Sequence, residues 1–367
     1  MKIFRMLVLL CIMGANAQDN YNLVVGTYTN ECDSQGIYVY DFNTVTGAFK
    51  PKANSKGVEN PSFLSVAPDN RFIYSVNESG DKSHVSSFNY TPQTGKVDFI
   101  NKRDSEGADP CYIINDDSNV IVANYSGGTI AVFDKKDKGS LTNAKQVIKH
   151  SGSSINKSRQ ESPHVHMVYF SPDKKYVLAT DLGTDKIYTY QYNPDGGKET
   201  LVLKSEYDIK PGNGLRHLAF HPNGIFVYVL NELTAVMTVL EYKEGSFSHI
   251  QDINITPFHT GQNGAADIHF SDDGKFLYAT NRGDANTISV FRVHANGRVN
   301  QIQEIRSGGE TPRNFAIAPK GNYVLVGNQK SNYISIFKRD KVTGMLEPTE
   351  NKIELCAPVC LIFTPAK

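Results

Sequence analysis

Short runs of alternating apolar and polar residues recur along the chain. Residues 187–190, 288–291 and 334–337 each alternate in this way, and turn sequences such as Ser-Pro-Asp at 171–173 and Pro-Asn-Gly at 222–224 lie between similar runs. Alternation bounded by turn residues predicts half-buried β-strands joined as hairpins. Helical periodicity is nearly absent, so the pattern predicts an all-β protein.

The strand pattern repeats at spacings of 47 to 57 residues. Six complete units are visible, and a seventh is split between residues 22–42, which supply later strands, and residues 358–364, which supply a first strand. Pairing the two ends would leave no free sheet edge. We therefore predict a seven-bladed β-propeller of four-stranded antiparallel blades, closed by pairing of the N- and C-terminal strands. The residue that ends the second strand marks each complete unit: Asn77, Asn124, Asp181, Asn231, Asn281 and Asn328.

The first 17 residues differ from the rest. Lys2 and Arg5 precede an apolar run at 6–13, and Ala15-Asn16-Ala17 fits a small-x-small cleavage site. The apolar run is much shorter than the about 20 residues that span a bilayer. We predict a signal peptide at 1–17, an exported protein of the periplasm or the extracellular space with no other membrane association, and a single domain at 18–367.

Composition narrows the class of protein. Lys plus Arg and Asp plus Glu both number 38, so no basic excess indicates a nucleic-acid partner. The chain has no Trp, which argues against WD-repeat and quinone-dependent propellers. Cys32, Cys111, Cys356 and Cys360 lack zinc-ligand spacing and are interpreted as structural or free. Their pairing and the oligomeric state stay open.

Hairpin lengths bring unusual polar residues to one end of the blades. Arg216 precedes Gly224 by eight residues and Glu232 follows it by eight, so a turn near Gly224 places Arg216 and Glu232 at the same end of adjacent strands. The first strand of a propeller blade lies nearest the axis. The same counting predicts a polar ring around one mouth of the central channel, a candidate binding pocket, with these further members: His166, Asp181, Asp267, Arg282, Arg313 and Asn328.

Five motifs carry a family resemblance: Ser-Pro-His-Val-His at 162–166, Asp-Leu-Gly-Thr-Asp at 181–185, Leu-Arg-His at 215–217, Asn-Glu-Leu at 231–233 and Asn-Arg-Gly at 281–283. With them the chain resembles the lactonase family of seven-bladed propellers, which includes bacterial 6-phosphogluconolactonases and fungal carboxy-muconate cyclases. The resemblance implies that the catalytic residues are His164, His166, Arg216 and Glu232. We expect substrate binding by Arg282, Arg313, His217, Asp267, His269 and Asn328.

These residue types suit hydrolysis of a cyclic ester. A neutral imidazole with an ordinary pKa of about 6.5 can take a proton from water. Arginine can bind a phosphate or carboxylate or stabilise an oxyanion. Glu232 would orient Arg216 or supply the acid for ring opening. The reaction requires no metal or other cofactor. A metal site formed by the two histidines with His269 or Asp267 is an alternative that the nearby arginines disfavour.

The resemblance therefore predicts a carboxylic ester hydrolase acting on a small-molecule sugar lactone, 6-phosphogluconolactone or a related anionic lactone. The loop 151–162 adds Lys157 and Arg159 beside the pocket and favours an anionic substrate. Export would separate the enzyme from cytoplasmic sugar phosphates, which leaves the phosphate group open. Two alternatives remain: a muconate-type lactonising cyclase and a non-enzymatic ligand-binding propeller.

Overall fold

A computed structural model describes residues 18–367, and the predicted signal peptide at 1–17 lies outside the described residues. Within residues 18–367 the chain forms 28 β-strands in seven four-stranded antiparallel sheets. Short 3-10 helices lie at Gly80–Lys82, Asp137–Gly139, Gly197–Glu199 and Pro319–Gly321. None of the helices in this part of the chain is long and apolar enough to cross a bilayer. The predicted seven-bladed propeller is confirmed.

Each blade runs from an inner strand to an outer strand. Blade 1 contains β28 (Pro358–Pro365), β1 (Asn20–Thr27), β2 (Ile37–Asn43) and β3 (Phe49–Asn54), and blade 2 contains β4 (Leu64–Val66), β5 (Phe72–Asn77), β6 (His84–Thr91) and β7 (Lys96–Asp104). Blade 3 contains β8 (Pro110–Asn115), β9 (Asn119–Asn124), β10 (Thr129–Lys135) and β11 (Leu141–Lys149), and blade 4 contains β12 (Val165–Phe170), β13 (Tyr176–Asp181), β14 (Lys186–Tyr192) and β15 (Leu201–Asp208).

The remaining blades follow the same plan. Blade 5 contains β16 (Leu215–Phe220), β17 (Phe226–Asn231), β18 (Val236–Lys243) and β19 (Ser246–Asn254). Blade 6 contains β20 (Ala265–Phe270), β21 (Phe276–Asn281), β22 (Thr287–Val293) and β23 (Val299–Arg306). Blade 7 contains β24 (Pro312–Ile317), β25 (Tyr323–Asn328), β26 (Tyr333–Arg339) and β27 (Leu346–Glu354).

Blade 1 closes the ring as the split repeat predicted. Strand β28 pairs antiparallel with β1 along the register from Tyr21–Pro365 to Gly26–Cys360. A disulfide between Cys32 and Cys356, with Cα atoms 6.0 Å apart, lies just before β28. Among the cysteines that the structure describes, Cys111 and Cys360 are free and buried. The disulfide links the two ends of the chain covalently at the point where the ring closes.

The core lies between neighbouring blades. Second strands such as β9 and β17 are buried along their whole length, whereas the outer strand β15 is exposed or half-buried after its first residue. This difference arises because each sheet packs face to face against the next sheet around the ring, and only the outer strands also border solvent. Leu230 of blade 5, for example, packs with Ile268 and Leu277 of blade 6.

A β-bulge interrupts the inner strand at equivalent positions of the blades. In blade 4 the register runs from Val165–Asp181 directly to Met167–Thr180, so His166 has no partner residue. Arg216 in blade 5 and Arg313 in blade 7 are skipped in the same way. A bulge bends the strand and re-aims the side chain of the extra residue. The bulges therefore set the direction of three predicted site residues.

Candidate active site

Glu232 is the centre of a cluster at the end of β17. Its side chain is buried, with 8% of its surface exposed. Glu232 Oε1 lies 2.7 Å from Arg159 Nη2, and Oε2 lies 2.9 Å from Arg282 Nη2. Arg216 Nε lies 3.1 Å from Oε2 but is not aligned for a hydrogen bond. One carboxylate thus holds three guanidinium groups from three separate segments of the chain.

The arginines decide the protonation state of Glu232. Burial raises the pKa of a carboxyl group, but Arg282, Arg216 and Arg159 outweigh this effect and lower the pKa of Glu232 to about 2. The carboxyl group is ionised at neutral pH and holds no proton to donate. The expectation that Glu232 could supply the acid for ring opening is therefore not supported, and its contacts fit the other predicted role, orientation of Arg216.

His166 lies beside this carboxylate on the bulge of β12. Its Nε2 is 3.8 Å from Glu232 Oε2, and its Nδ1 is 3.7 Å from Cys111 Sγ. Burial and the nearby Arg216 hold the pKa of His166 well below its usual value. The ring is therefore neutral at neutral pH, as a proton acceptor must be, but it is a weaker base than the ordinary pKa of the sequence analysis implied.

His164 occupies a different environment from His166. Its backbone N–H donates to Asp181 Oδ1 at 2.8 Å, and its ring stacks on Tyr125 with ring centroids 4.6 Å apart. Its Nε2 lies 3.2 Å from Glu161 Oε1. These contacts direct His164 toward Tyr125 and Glu161, whereas His166 contacts the Glu232 carboxylate, so the geometry favours His166 as the base.

The structure does not group the residues of the alternative metal site. Across residues 18–367 no three His, Cys, Asp or Glu side chains are placed to hold a metal ion together. Asp267 and His269, the proposed third ligands, bind each other at 2.8 Å.

The backbone around Gly264 and Gly283 positions the Arg282 side chain. Arg282 Nε donates to Gly264 O at 2.9 Å. Gly283 has φ = +63°, and a Cβ atom there would approach Gln262 O to 2.1 Å. A glycine is therefore required after Arg282 for the 261–264 loop to pack against it.

Arg159 reaches the site from the loop 151–162, which we call the strap. Its Nη2 contacts Tyr125 Oη at 3.1 Å as well as Glu232, and 40% of its side chain is exposed. Asp185 anchors the strap by accepting hydrogen bonds from Ser154 Oγ at 2.6 Å and Gln160 Nε2 at 2.7 Å. Of the two basic residues predicted on this loop, only Arg159 joins the cluster: Lys157 Nζ donates to the strap's own Ser154 O.

Arg313 contacts two residues that the sequence motifs did not single out, Tyr28 and Glu78. Its guanidinium lies 5.4 Å from the Tyr28 ring centroid, and Nη2 is 3.9 Å from Glu78 Oε2. Tyr28 Oη donates to Glu78 Oε2 at 2.7 Å. The sequence contained a signal for Glu78, because it follows Asn77 as Glu232 follows Asn231.

The structure does not bring all predicted binding residues into the pocket. His217 and Asp267 are buried and bind each other through Nδ1 and Oδ1 at 2.9 Å. His269 contacts the other oxygen of Asp267. Asn328 Nδ2 donates to Ser335 Oγ at 2.9 Å within its own blade. Of the six predicted binding residues, Arg282 and Arg313 line the pocket described next.

The cluster borders an open pocket of about 450 Å³. Cationic side chains outnumber carboxylates in its lining by two, so the pocket has an uncompensated positive charge before any substrate binds. A concave site with an excess of positive charge attracts anions. The charged lining residues are Arg159, Arg282, Arg313 and Lys330 against Glu232 and Asp284.

Fold and site together define a seven-bladed propeller with a cation-rich pocket at one mouth of its channel. The chain belongs to the lactonase family of seven-bladed β-propellers, because the family model "Lactonase, 7-bladed beta-propeller" matches residues 22–363. The resemblance drawn from the sequence motifs is thereby confirmed.

Three relatives bear on the activity. The chain is 35% identical to a 6-phosphogluconolactonase of Formosa agariphila over 89% of this chain and 94% of the relative. It is 34% identical to a 6-phosphogluconolactonase of Bacillus subtilis over 92% and 97%. The structure of the Pseudomonas aeruginosa periplasmic gluconolactonase superimposes with a TM-score of 0.90 at 35% identity, covering 95% of this chain and all of that one. The relatives hydrolyse lactones, in line with the predicted class of enzyme.

Proposed function

We propose that this protein hydrolyses an anionic sugar lactone, 6-phosphogluconolactone or a carboxylate-bearing equivalent. The main support for this proposal is the Glu232 carboxylate, which contacts three arginines within 3.1 Å beside the neutral ring of His166. This arrangement combines a proton acceptor with several cations, of which Arg159, Arg282 and Arg313 line the pocket.

Each group has a distinct part in the proposed reaction. His166 accepts a proton as water adds to the lactone carbonyl carbon, and the ring C–O bond then breaks as a proton returns to the ring oxygen. Arg216 and Arg282, fixed by Glu232, stabilise the oxyanion because their charge is in place before the reaction begins. Arg313 and Arg159, which both line the pocket, bind the anionic group of the substrate.

A lactone panel tests this proposal. Residues 18–367 are purified and acid release is followed with 6-phosphogluconolactone, gluconolactone and a carboxylate-bearing lactone. We expect kcat/KM to be at least about tenfold higher for the anionic lactones, the effect of one charge-assisted contact of about 1.5 kcal/mol. Equal values for gluconolactone and its phosphate would contradict anion selection. Rates no faster than spontaneous hydrolysis on every lactone would contradict the activity.

We also propose that the protein acts outside the cytoplasm. The N-terminal sequence has the pattern of a signal peptide, and the Cys32–Cys356 disulfide suits an oxidising compartment. A similar propeller is a periplasmic enzyme. Fractionation of cells that make the full chain tests this, with N-terminal sequencing of the exported form expected to begin at Gln18. A protein retained in the cytoplasm with Met1 intact would contradict export.

A further inference from the structure

A buried chain of polar groups lies directly behind Arg216. Arg216 Nη1 is 3.2 Å from His217 Nε2, and His217 Nδ1 is 2.9 Å from Asp267 Oδ1. Asp267 Oδ2 lies 2.8 Å from His269 Nε2. These hydrogen-bonded groups extend from blade 5 to blade 6 and end at His269, whose side chain is 44% exposed. They thus connect a solvent-accessible imidazole to an arginine that touches Glu232.

The hydrogen-bond directions in this chain are determined by Arg216. A guanidinium donates and never accepts, so His217 Nε2 must be the acceptor in the contact with Arg216. The ring proton of a neutral His217 is then on Nδ1 and is donated to Asp267. Burial and Arg216 lower the pKa of His217 to about 4, which keeps the ring neutral at neutral pH. Only one tautomer of His217 satisfies both neighbours.

Asp267 is held so firmly that it can impose this tautomer. In addition to the two histidines, its Oδ2 accepts hydrogen bonds from Asn314 Nδ2 at 2.6 Å and from the Phe315 backbone N–H at 3.1 Å. The Asp267 backbone N–H donates to Thr280 Oγ1 at 3.1 Å. A carboxylate with this many donors has a fixed orientation and stays ionised, because hydrogen bonds to the charged form favour it.

We propose that Asp267 and His217 are positioning residues for Arg216: Asp267 holds the proton of His217 on Nδ1, and His217 Nε2 then orients the guanidinium toward Glu232 and the pocket. The inference rests on the proposed function, because Arg216 is the group through which the network would affect turnover. It replaces the substrate-binding roles that the sequence suggested for His217 and Asp267.

The tautomer can be measured without any substrate. In protein labelled with ¹⁵N-histidine, the ring signals of His217 are identified by their loss in His217→Gln. We expect the Nδ1–H form in the native protein. In Asp267→Asn we expect the Nε2–H form, because the new amide can donate to Nδ1. An Nε2–H tautomer in the native protein, or an unchanged tautomer in Asp267→Asn, would overturn the inference.

Kinetics separate positioning from a purely structural role. We expect Asp267→Asn to lower kcat on the preferred lactone by about thirtyfold or more with KM changed less than threefold, because Arg216 would face an N–H group instead of an acceptor. His217→Gln, whose amide oxygen can take the place of Nε2, should retain more activity than His217→Asn, which reaches only the Nδ1 position. Equal losses in these two variants would count against the inference.

A matched control comes from a buried amide far from the site. Asn119 Nδ2 donates to Tyr192 Oη at 2.8 Å and to Pro194 O at 3.0 Å. Asn119→Ala should lower the melting temperature with kcat unchanged. If Asp267→Asn loses no more kcat than Asn119→Ala, the positioning role is wrong. If the native protein hydrolyses no lactone, the proposed function fails, and the tautomer measurement alone decides how His217 is held.

Discussion

The inner-strand position equivalent to His166 differs between two halves of the ring, blades 1–3 and blades 4–7. In blades 4, 5 and 7 this position holds charged or titratable side chains that line the pocket or contact Glu232, and in blade 6 it holds Ala266. In blades 1–3 the equivalent residues are small, neutral or apolar. The charged or titratable residues are His166, Arg216 and Arg313, and the residues of blades 1–3 are Val359, Ser62 and Cys111.

The blades therefore share one backbone arrangement but differ in the side chain at this position. Ser62 Oγ is buried without a hydrogen-bond partner, and Val359 is buried in the hydrophobic core, so these positions contribute no charge to the pocket. Seven equivalent positions allow a site to be built on some blades while the others keep only the scaffold. Changes in the two halves should accordingly affect different properties.

The largest effect is expected from the scaffold half. Deleting residues 356–367 removes β28 and leaves the backbone groups of β1 unpaired. We expect this truncation to abolish cooperative unfolding or lower the melting temperature by more than ten degrees, as measured by calorimetry. The double variant Cys32→Ser, Cys356→Ser is the control, since it removes the disulfide alone at a cost of about 2–5 kcal/mol. Melting within one or two degrees of the intact protein would contradict closure by the terminal strands.

Glu232→Gln tests the charge balance of the site half. It keeps the shape of the side chain but leaves three guanidinium groups without their buried counter-charge. We expect the free energy of unfolding to fall by about 3–5 kcal/mol, together with most activity. Urea unfolding checks this. Adding Arg159→Gln should restore part of the lost stability, and no recovery in that double variant would argue against direct charge compensation.

The contribution of Glu232 to the free energy of unfolding should depend on pH with a defined sign. Folding lowers the pKa of Glu232 from its ordinary 4.5 to about 2. The stabilisation from this shift is complete above about pH 4.5 and is lost as the pH falls toward 2. Unfolding curves of the native protein and Glu232→Gln should therefore converge over that interval. A stability difference that is the same at pH 7 and pH 2.5 would refute the contribution of the ionised carboxylate.

His166→Asn should lower turnover by about a hundredfold or more, because it removes the proposed proton acceptor. Stability should change little, since the closest polar contacts of the ring are long: 3.7 Å to Cys111 Sγ and 3.8 Å to Glu232. Ser62→Ala, at the position of blade 2 that corresponds to His166 in the sequence repeat, is the matched control and should leave kcat unaltered. Equal activities in the two variants would contradict a functional difference between the two halves of the ring.

The smallest effect is expected from the strap. Arg159→Ala should raise KM for an anionic lactone about tenfold and leave a neutral lactone within twofold, because Arg159 is the most exposed arginine of the cluster. Lys157→Ala, on the same loop but outside the cluster, controls for changes in the strap. A similar KM increase for both lactones would indicate loss of strap order instead of loss of charge recognition.

Most of the fold was predictable because the hairpin unit repeats and its turn residues mark each copy. The meeting of Arg216 and Glu232 was predictable for the same reason, since hairpin length fixes which residues share an end. The side-chain directions were not, because the bulge at His166 depends on pairing that no local pattern shows. Tyr28 reaches Arg313 only through ring closure, which joins residues nearly 300 positions apart.

Closure by the last strand has a consequence for biogenesis. Strand β1 is made first among the 28, and its inner partner β28 is made last. One edge of the N-terminal strand therefore stays unpaired until the rest of the chain has been synthesised. An unfinished copy of the same chain has the same unpaired edge, so exchange of terminal strands between copies competes with closure. A disulfide between Cys32 and Cys356 of one molecule then holds the ring closed and prevents such exchange.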